Sequence, residues 1–147
     1  MNREMAFVRE LAMQADTFYS ESEGFGRWAA RALPGKRAQI TGLESIANSS
    51  LKISDVLDYL KKQTAKAKAG KEWRQQDKAH KELGHQLITF IRDDLRVKRD
   101  AVCNSVGDST GQGASEFEKQ QVFLALIREF VRQVAAQYEL GVSGHDG

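Results

Sequence analysis

The sequence predicts an all-α protein, a bundle of four to five helices with one long central helix and no sheet. Its 147 residues contain a single proline, Pro34, where an average usage of roughly 5% would give about seven. Most glycines fall in three clusters, which leaves long stretches without helix breakers. Between the clusters, apolar residues recur at steps of three and four, the period of an amphipathic helix. A chain of this length has room for one domain.

The first two helices are predicted on either side of a glycine-bearing segment. Apolar residues share one face over roughly residues 3–20, which indicates an amphipathic helix. The polar run 20–26, with two glycines, is expected to end it. A short helix is predicted over 27–33, and it ends before Pro34 because the residue before a proline avoids the helical region.

The next two helices have recognisable ends. A third helix is predicted over 36–48, followed by the cluster 48–50, whose side chains compete for backbone hydrogen bonds. A fourth is predicted over 55–69, with Ser54 as its N-cap and Gly70 as its stop.

A longer helix is predicted from Glu72 to about Cys103, where apolar residues recur at helical spacing. If continuous, it is about 45 Å long at ~1.5 Å per residue. Gly84 lies inside it and indicates a kink or a close helix contact. The segment 104–114 is rich in glycine and small polar residues, and is expected to be a disordered loop.

The last helix has the best start signal in the chain. Residues 115–118, Ser-Glu-Phe-Glu, match a capping box, in which the serine and the second glutamate satisfy each other's backbone N–H groups. The helix is predicted over 117–140 and ends at Gly141. The helical domain is accordingly assigned to residues 1–141, with 142–147 as a disordered tail.

Apolar residues cover more than half the circumference of this last helix, more than one neighbouring helix would bury. Two interpretations follow. Either it is a central helix contacted on two sides by its own bundle, or part of its surface meets another subunit. Under the second interpretation the predicted partner interface comprises Phe123, Leu126, Phe130 and Tyr138.

The net charge of +2 conceals an asymmetry along the chain. Residues 1–51 carry six basic and six acidic side chains. Residues 52–99 carry thirteen basic and seven acidic side chains, and residues 100–147 carry three basic and seven acidic ones. The centre of the chain is therefore basic and the C-terminal third is acidic.

The basic centre has two interpretations. It is a solvated helix face, in which Asp58 pairs with Lys62 four residues on, or an electrostatic footprint for a polyanion such as the backbone of RNA or single-stranded DNA. Arg27 and Arg31 flank Trp28 in a second, smaller basic cluster. The predicted nucleic-acid-binding residues are Arg27, Arg31, Lys36, Arg37, Lys61, Lys62, Lys66, Lys71, Arg74 and Lys78.

Both tryptophans adjoin arginines, as Trp28 does Arg27 and Trp73 does Arg74. Single-stranded nucleic acid is bound by such mixtures, because bases stack on aromatic rings while cations track the phosphates. The alternative is that both tryptophans anchor the hydrophobic core.

Catalysis and metal binding are not expected. His80 and His85 lack the four-residue spacing of a zinc-protease helix. Glu82 and His85 are three apart, but a di-iron bundle needs a second such pair. Cys103 has no histidine close in sequence that would activate it as a nucleophile. The predictions are therefore no enzyme, no metal and no cofactor.

A reducing cytoplasm suits a chain with a single cysteine, which cannot form an internal disulfide. No apolar run approaches the ~18 residues needed to cross a bilayer, and no secretory signal is recognised at the N-terminus. The expected location is cytoplasmic, without a membrane partner.

The segments Lys36-Arg-Ala-Gln-Ile-Thr-Gly-Leu-Glu-Ser-Ile-Ala-Asn48 and Ser54-Asp-Val-Leu-Asp-Tyr-Leu-Lys-Lys-Gln63, continued to Trp73-Arg74, carry a resemblance. Within residues 36–100 the chain resembles the small helical subunits of type III CRISPR effector complexes and related small proteins of those loci. The resemblance implies a non-catalytic subunit that packs along a ribonucleoprotein filament, in antiviral defence. Its basic face would lie against the guide–target backbone through Lys62, Lys66, Lys71, Arg74 and Lys78.

The leading functional hypothesis is a helical subunit of a nucleoprotein assembly that binds RNA or single-stranded nucleic acid without sequence preference. The alternative is a protein-interaction adaptor or regulator that docks through its C-terminal helix without nucleic acid. In that case the acidic C-terminal third could also complement the basic centre of a neighbouring copy.

Overall fold

A computed structural model describes residues 2–66 and 70–146 of the chain. Over these residues the fold consists of six helices and contains no β-strand. The predicted all-α class is confirmed, and the predicted number of four to five helices is wrong. The predicted short second helix is in fact as long as its neighbours.

The first four helices are α1 (Arg3–Thr17), α2 (Tyr19–Ala32), α3 (Arg37–Ser49) and α4 (Ile53–Ala65). The fifth, α5, has three parts: an α-helical segment Leu83–Thr89, a π-helical turn Phe90–Asp94 and a second α-helical segment Leu95–Thr110. The last helix is α6 (Glu116–Asp146). A 3₁₀ turn, Glu72–Arg74, lies between α4 and α5. The longest helix is α6, and every other helix contacts it.

The predicted break over 20–26 is absent, because α2 runs through both Gly24 and Gly26. Gly26 faces α6, where an added Cβ would lie 2.7 Å from the carbonyl oxygen of Val134. This glycine therefore permits close packing of two helices. The chain direction changes instead at Phe18, the one residue between α1 and α2.

The start of α4 also differs from the prediction. Lys52 precedes the helix in an extended conformation, Ser54 lies inside the first turn, and no hydrogen bond from the N-cap side chain starts the helix. The helix ends at Ala65, earlier than predicted, and residues 67–69 of the predicted helix lie outside the described residues. A serine by itself was too weak a signal to locate the start of the helix, because the apolar face that packs into the core already begins at Ile53.

The predicted continuous helix from Glu72 to Cys103 is wrong in its first third. After the 3₁₀ turn, residues 75–82 form a loop closed by an antiparallel bridge between Gln76 and Glu82. The Asp77 carboxylate accepts hydrogen bonds from the backbone N–H groups of Ala79 and Lys81, at 2.9 and 3.0 Å. Such side-chain bonding gives the backbone an alternative to the helix, so α5 starts only at Leu83.

At its other end α5 extends beyond the prediction. The segment 104–114 was expected to be a disordered loop, yet the helix continues to Thr110 and Val106 is fully buried. Gly111 ends it in the left-handed conformation, with φ 76°, which glycine adopts without steric cost. The periodic burial of Val102, Cys103 and Val106 outweighs the low helix propensity of the polar residues between them.

The capping box at the start of α6 is confirmed. The Ser115 N–H donates to the Glu118 carboxylate at 2.9 Å, and the Glu118 N–H donates to the Ser115 hydroxyl oxygen at 3.1 Å. The predicted end at Gly141 is wrong, because α6 continues to Asp146 and Val142 is buried. Gly141 instead packs against the methyl group of Ala30 on α2.

The π-helical turn of α5 helps to form the centre of the core. It places the Phe90 ring over Phe130 of α6, with 4.7 Å between ring centroids. Phe18 and Phe25 pack edge-on against the same two rings. The four rings tie α1, α2, α5 and α6 together.

Arg3 holds the α5–α6 connection. Its guanidinium donates to both oxygens of Glu118, at 2.8 and 2.9 Å, and to the carbonyl oxygens of Gln112 and Gly113. The Arg3 hydrogen bond, together with the Ser115 N–H, lowers the pKa of Glu118 from its ordinary value of 4.5 to about 2. Since the folded pKa is the lower one, the stabilisation is fully present above pH 4.5 and is lost as the pH falls towards 2.

We therefore expect Glu118→Gln to lower Tm at neutral pH, and the difference from the wild type to shrink steadily between pH 4.5 and 2. Thermal unfolding followed by circular dichroism measures it. Glu116→Gln is the matched control, because Glu116 is exposed and its one ion pair among the described residues is with Lys119, at 3.3 Å. A Tm difference for Glu118→Gln that stays constant down to pH 2 would contradict the ion pair.

Candidate nucleic-acid interface

Lysines project from the C-terminal half of α4. The apolar stripe of this helix turns Val56 and Leu60 into the core, where both are fully buried. Lys61 and Lys62 lie off that stripe and are exposed, as is Lys66, which follows the helix as its C-cap residue. The sequence therefore presents a cationic edge by burying the neighbouring apolar positions.

Arg74 folds the next segment back onto the end of α4. Its guanidinium donates to the carbonyl oxygens of Thr64 and Lys66, at 2.7 and 2.9 Å, which a helix end leaves without intrahelical partners. The structure therefore brings Arg74 and Lys66 together, but it uses Arg74 to cap a helix. Lys71 lies in the intervening turn and is exposed.

Two glycines permit this fold-back. An added Cβ on Gly70 would collide with the carbonyl oxygens of Lys66, Gln63 and Thr64, and one on Gly84 would collide with the Thr64 hydroxyl. The close helix contact predicted for Gly84 is thus present, between the start of α5 and the end of α4.

Trp73 anchors the same turn on its core-facing side. It is fully buried, and its indole N–H donates to the side-chain oxygen of Gln39 on α3. The Tyr59 hydroxyl donates to the backbone carbonyl of Gln39 at 2.7 Å. Trp28 is also buried and stacks on Phe25, with 6.3 Å between ring centroids. Both tryptophans are therefore core anchors, and neither offers a face to a nucleobase.

The loop 75–82 adds two more cations. Lys78 and Lys81 are exposed on either side of the Asp77-bonded turn, in which His80 has a positive φ of 62°. Lys81 is absent from the predicted binding residues, although it lies in the same basic segment as Lys78. The aspartate-based turn was the local signal that could have placed it beside Lys78.

We use the name lysine surface for the exposed lysines of α4 and the two segments that follow it: Lys61, Lys62, Lys66, Lys71, Lys78 and Lys81. In the described parts of the chain none of the six takes part in an ion pair. That includes the predicted pair of Asp58 with Lys62. Residues 61–81 carry eight basic side chains against two carboxylates, Glu72 and Asp77, and this excess produces a positive potential.

The other predicted binding residues lie on different helices. Arg27 and Arg31 are exposed on α2, and Lys36 is half-buried before α3. Arg37 forms an ion pair with Glu139 of α6 at 2.8 Å.

The prediction of a partner interface on the last helix has to be corrected. Phe123, Leu126, Phe130 and Tyr138 are all buried in this chain's own core, and the Tyr138 hydroxyl donates to the carbonyl oxygen of Leu33. Apart from Phe117 and Leu140, the large apolar residues of α6 are covered by the helices around it. The other interpretation, a central helix in its own bundle, describes the structure.

The residues considered for catalysis are scattered. His80 and His85 are exposed on the loop and on α5, while Cys103 is buried, and burial raises the pKa of its thiol. No three histidine, cysteine, aspartate or glutamate side chains of residues 2–66 and 70–143 come together as metal ligands. None of the described helices is both long enough and apolar enough to span a membrane.

Comparisons of this chain with protein-family models, with curated proteins and with solved structures gave no match. The functional proposal therefore rests on the chemistry of the lysine surface.

Proposed function

We propose that this protein binds nucleic acid through the lysine surface by contacting phosphates, without reading the base sequence. The observation that carries the proposal is the exposure of six lysines on one continuous segment, without ion pairs among the described residues. Lysine ammonium groups bind phosphates as point charges. Phosphate contacts supply affinity and position but carry no sequence information.

The burial of both tryptophans favours double-stranded over single-stranded nucleic acid as the partner. Binding to single strands relies on bases that stack on exposed aromatic rings, and Trp28 and Trp73 do not provide such rings. A duplex carries about one charge per 1.7 Å of its axis, roughly twice the density of a single strand. A surface that supplies only charge gains more from the denser partner.

The test is fluorescence anisotropy with a labelled RNA, alone and as a duplex, and with a DNA duplex. We expect the duplexes to bind at least as tightly as the single strand, with affinity falling steeply as salt rises from about 50 to 200 mM. Binding that ignores salt, or that requires one sequence, would contradict the proposal.

A variant with four substitutions, Lys62→Gln, Lys66→Gln, Lys71→Gln and Lys78→Gln, is expected to reduce binding strongly. The slope of log K against log salt should become shallower by about 0.9 for each phosphate of a DNA duplex that the variant no longer neutralises. The matched control removes four cations of α5 and α6, with Arg92→Gln, Arg96→Gln, Lys98→Gln and Lys119→Gln, and should bind nearly as the wild type does. Equal reductions in affinity for both variants would show that only net charge matters.

The resemblance of residues 36–100 to small helical subunits of type III CRISPR effector complexes agrees with this proposal, because a guide–target hybrid is also a duplex. That assignment stays a prediction. The alternative function, docking of a protein through the C-terminal helix, is not supported by the four residues predicted for it, because they are buried.

A further inference from the structure

An open groove runs between α1 and α6, far along the chain from the lysine surface. Two adjoining cavities of about 530 and 490 Å³ form it, and both are lined by Val8, Leu11, Ala125 and Arg128. Small alanines on the two helices keep the groove open, and no described segment of this chain covers it. A groove between two helices with apolar walls is the usual docking site of a third helix.

The outer face of α1 next to this groove is apolar as well. Met5 and Val8 are each 58% exposed, Ala12 is exposed, and Tyr19 at the start of α2 is 50% exposed. The spacing of three and four residues places Met5, Val8 and Ala12 along one side of α1, and Tyr19 lines the end of the groove. Phe117 at the start of α6 is 72% exposed and lines the same groove.

The order of residues along this face is self-complementary. Ala12 lies on α1 between two side chains of opposite charge. Arg9 lies three residues before Ala12, and Asp16 four residues after it. Two antiparallel copies of α1 that cross next to Ala12 would therefore set Arg9 of each copy opposite Asp16 of the other, so that the pair forms twice.

Charge and side-chain size support this arrangement. Both Arg9 and Asp16 are exposed; Arg9 makes one long contact, at 3.4 Å, with Glu10 on its own helix, and Asp16 forms no ion pair among the described residues. The small side chain of Ala12 allows two helices to approach closely at the axis. A twofold interface requires that one patch be complementary to itself.

The area of the patch fits a weak dimer. Together Met5, Val8, Ala12, Tyr19 and Phe117 expose about 500 Å², taking 150–250 Å² for a large aromatic side chain. The largest apolar patch on a monomeric protein is about 300–600 Å² and is often functional. Two copies would bury about 1,000 Å², the lower size for a specific interface.

We infer that this face is a homodimer interface, in which α1 of each copy lies in the α1–α6 groove of the other. Sedimentation velocity of the full chain without nucleic acid, over a range of micromolar concentrations, tests it. The wild type is expected to shift from monomer to dimer as concentration rises. A monomer at every concentration would overturn the inference.

Exchanging the charges of Arg9 and Asp16 tests which residues face each other in the dimer. Arg9→Asp or Asp16→Arg alone places like charges opposite each other and should weaken the dimer at least tenfold, whereas the double variant should regain it. Val8→Glu should abolish the dimer without loss of helical circular dichroism, because Val8 is exposed in the single chain. Leu140→Glu is the control, as Leu140 is 66% exposed but lies outside the groove. A dimer that survives Val8→Glu, or that the double variant does not restore, assigns the contact to another face.

Discussion

Trp73→Ala is expected to lower the free energy of unfolding by about 3–5 kcal/mol, the usual effect of removing a large buried aromatic side chain. Trp73 is fully buried beneath the turn that carries Lys71, and its indole N–H is bonded to Gln39. The substitution leaves a cavity and removes the anchor of the turn. Urea unfolding measures the decrease in stability, and the anisotropy assay should show weaker duplex binding even where the variant is folded.

The two tryptophans supply their own matched comparison. The Trp28 indole nitrogen is buried without a hydrogen-bond partner among the described residues, so Trp28→Phe removes no hydrogen bond. Trp73→Phe removes the donor to Gln39 and leaves an acceptor unpaired, which costs free energy. Trp73→Phe should therefore be the more destabilising of the two, and the reverse order would show that the Gln39 bond contributes nothing.

Gly26→Ala is expected to lower the free energy of unfolding by about 1–3 kcal/mol, the range for overpacking a tight contact. An added Cβ would lie 2.5 Å from the Cβ of Gln137 and 2.7 Å from the backbone oxygen of Val134. A backbone oxygen cannot rotate away as a side chain can, so α2 and α6 would have to separate. Denaturant titration followed by circular dichroism measures the destabilisation.

Gly24→Ala is the control within the same helix, because an added Cβ there meets nothing within 4 Å. Alanine in an open helical position stabilises by about 0.5–1 kcal/mol relative to glycine. The two substitutions, two residues apart, should therefore have opposite signs. If both stabilise the protein, the close approach of α2 to α6 is not what Gly26 provides.

Local sequence signals predicted the elements that depend on neighbours in the chain. The third helix was placed within a residue at each end, and the capping box of Ser115 and Glu118 has the predicted bonds. Both depend on contacts within a few residues. The errors at Gly26 and Gly141 have a different origin, because those glycines lie in helices where another helix approaches closely.

The candidate site was predictable in its charge and not in its arrangement. Composition alone shows the excess of lysine between residues 52 and 99. The sequence could not show that Arg74 caps α4, because its acceptors Thr64 and Lys66 become neighbours only when the turn folds back. It also could not decide whether Trp73 contacts a base or the core.

The all-α class predicted at the outset followed from the sequence by itself, because the 3.6-residue period and the scarcity of proline act on each segment separately. Which apolar faces are covered was decided only by the tertiary structure. The last helix has the widest apolar surface in the chain, and its own bundle buries most of it. The less apolar α1 leaves Met5, Val8 and Ala12 exposed. Hydrophobicity shows that a face favours burial, but whether the chain itself covers that face depends on how all six helices pack.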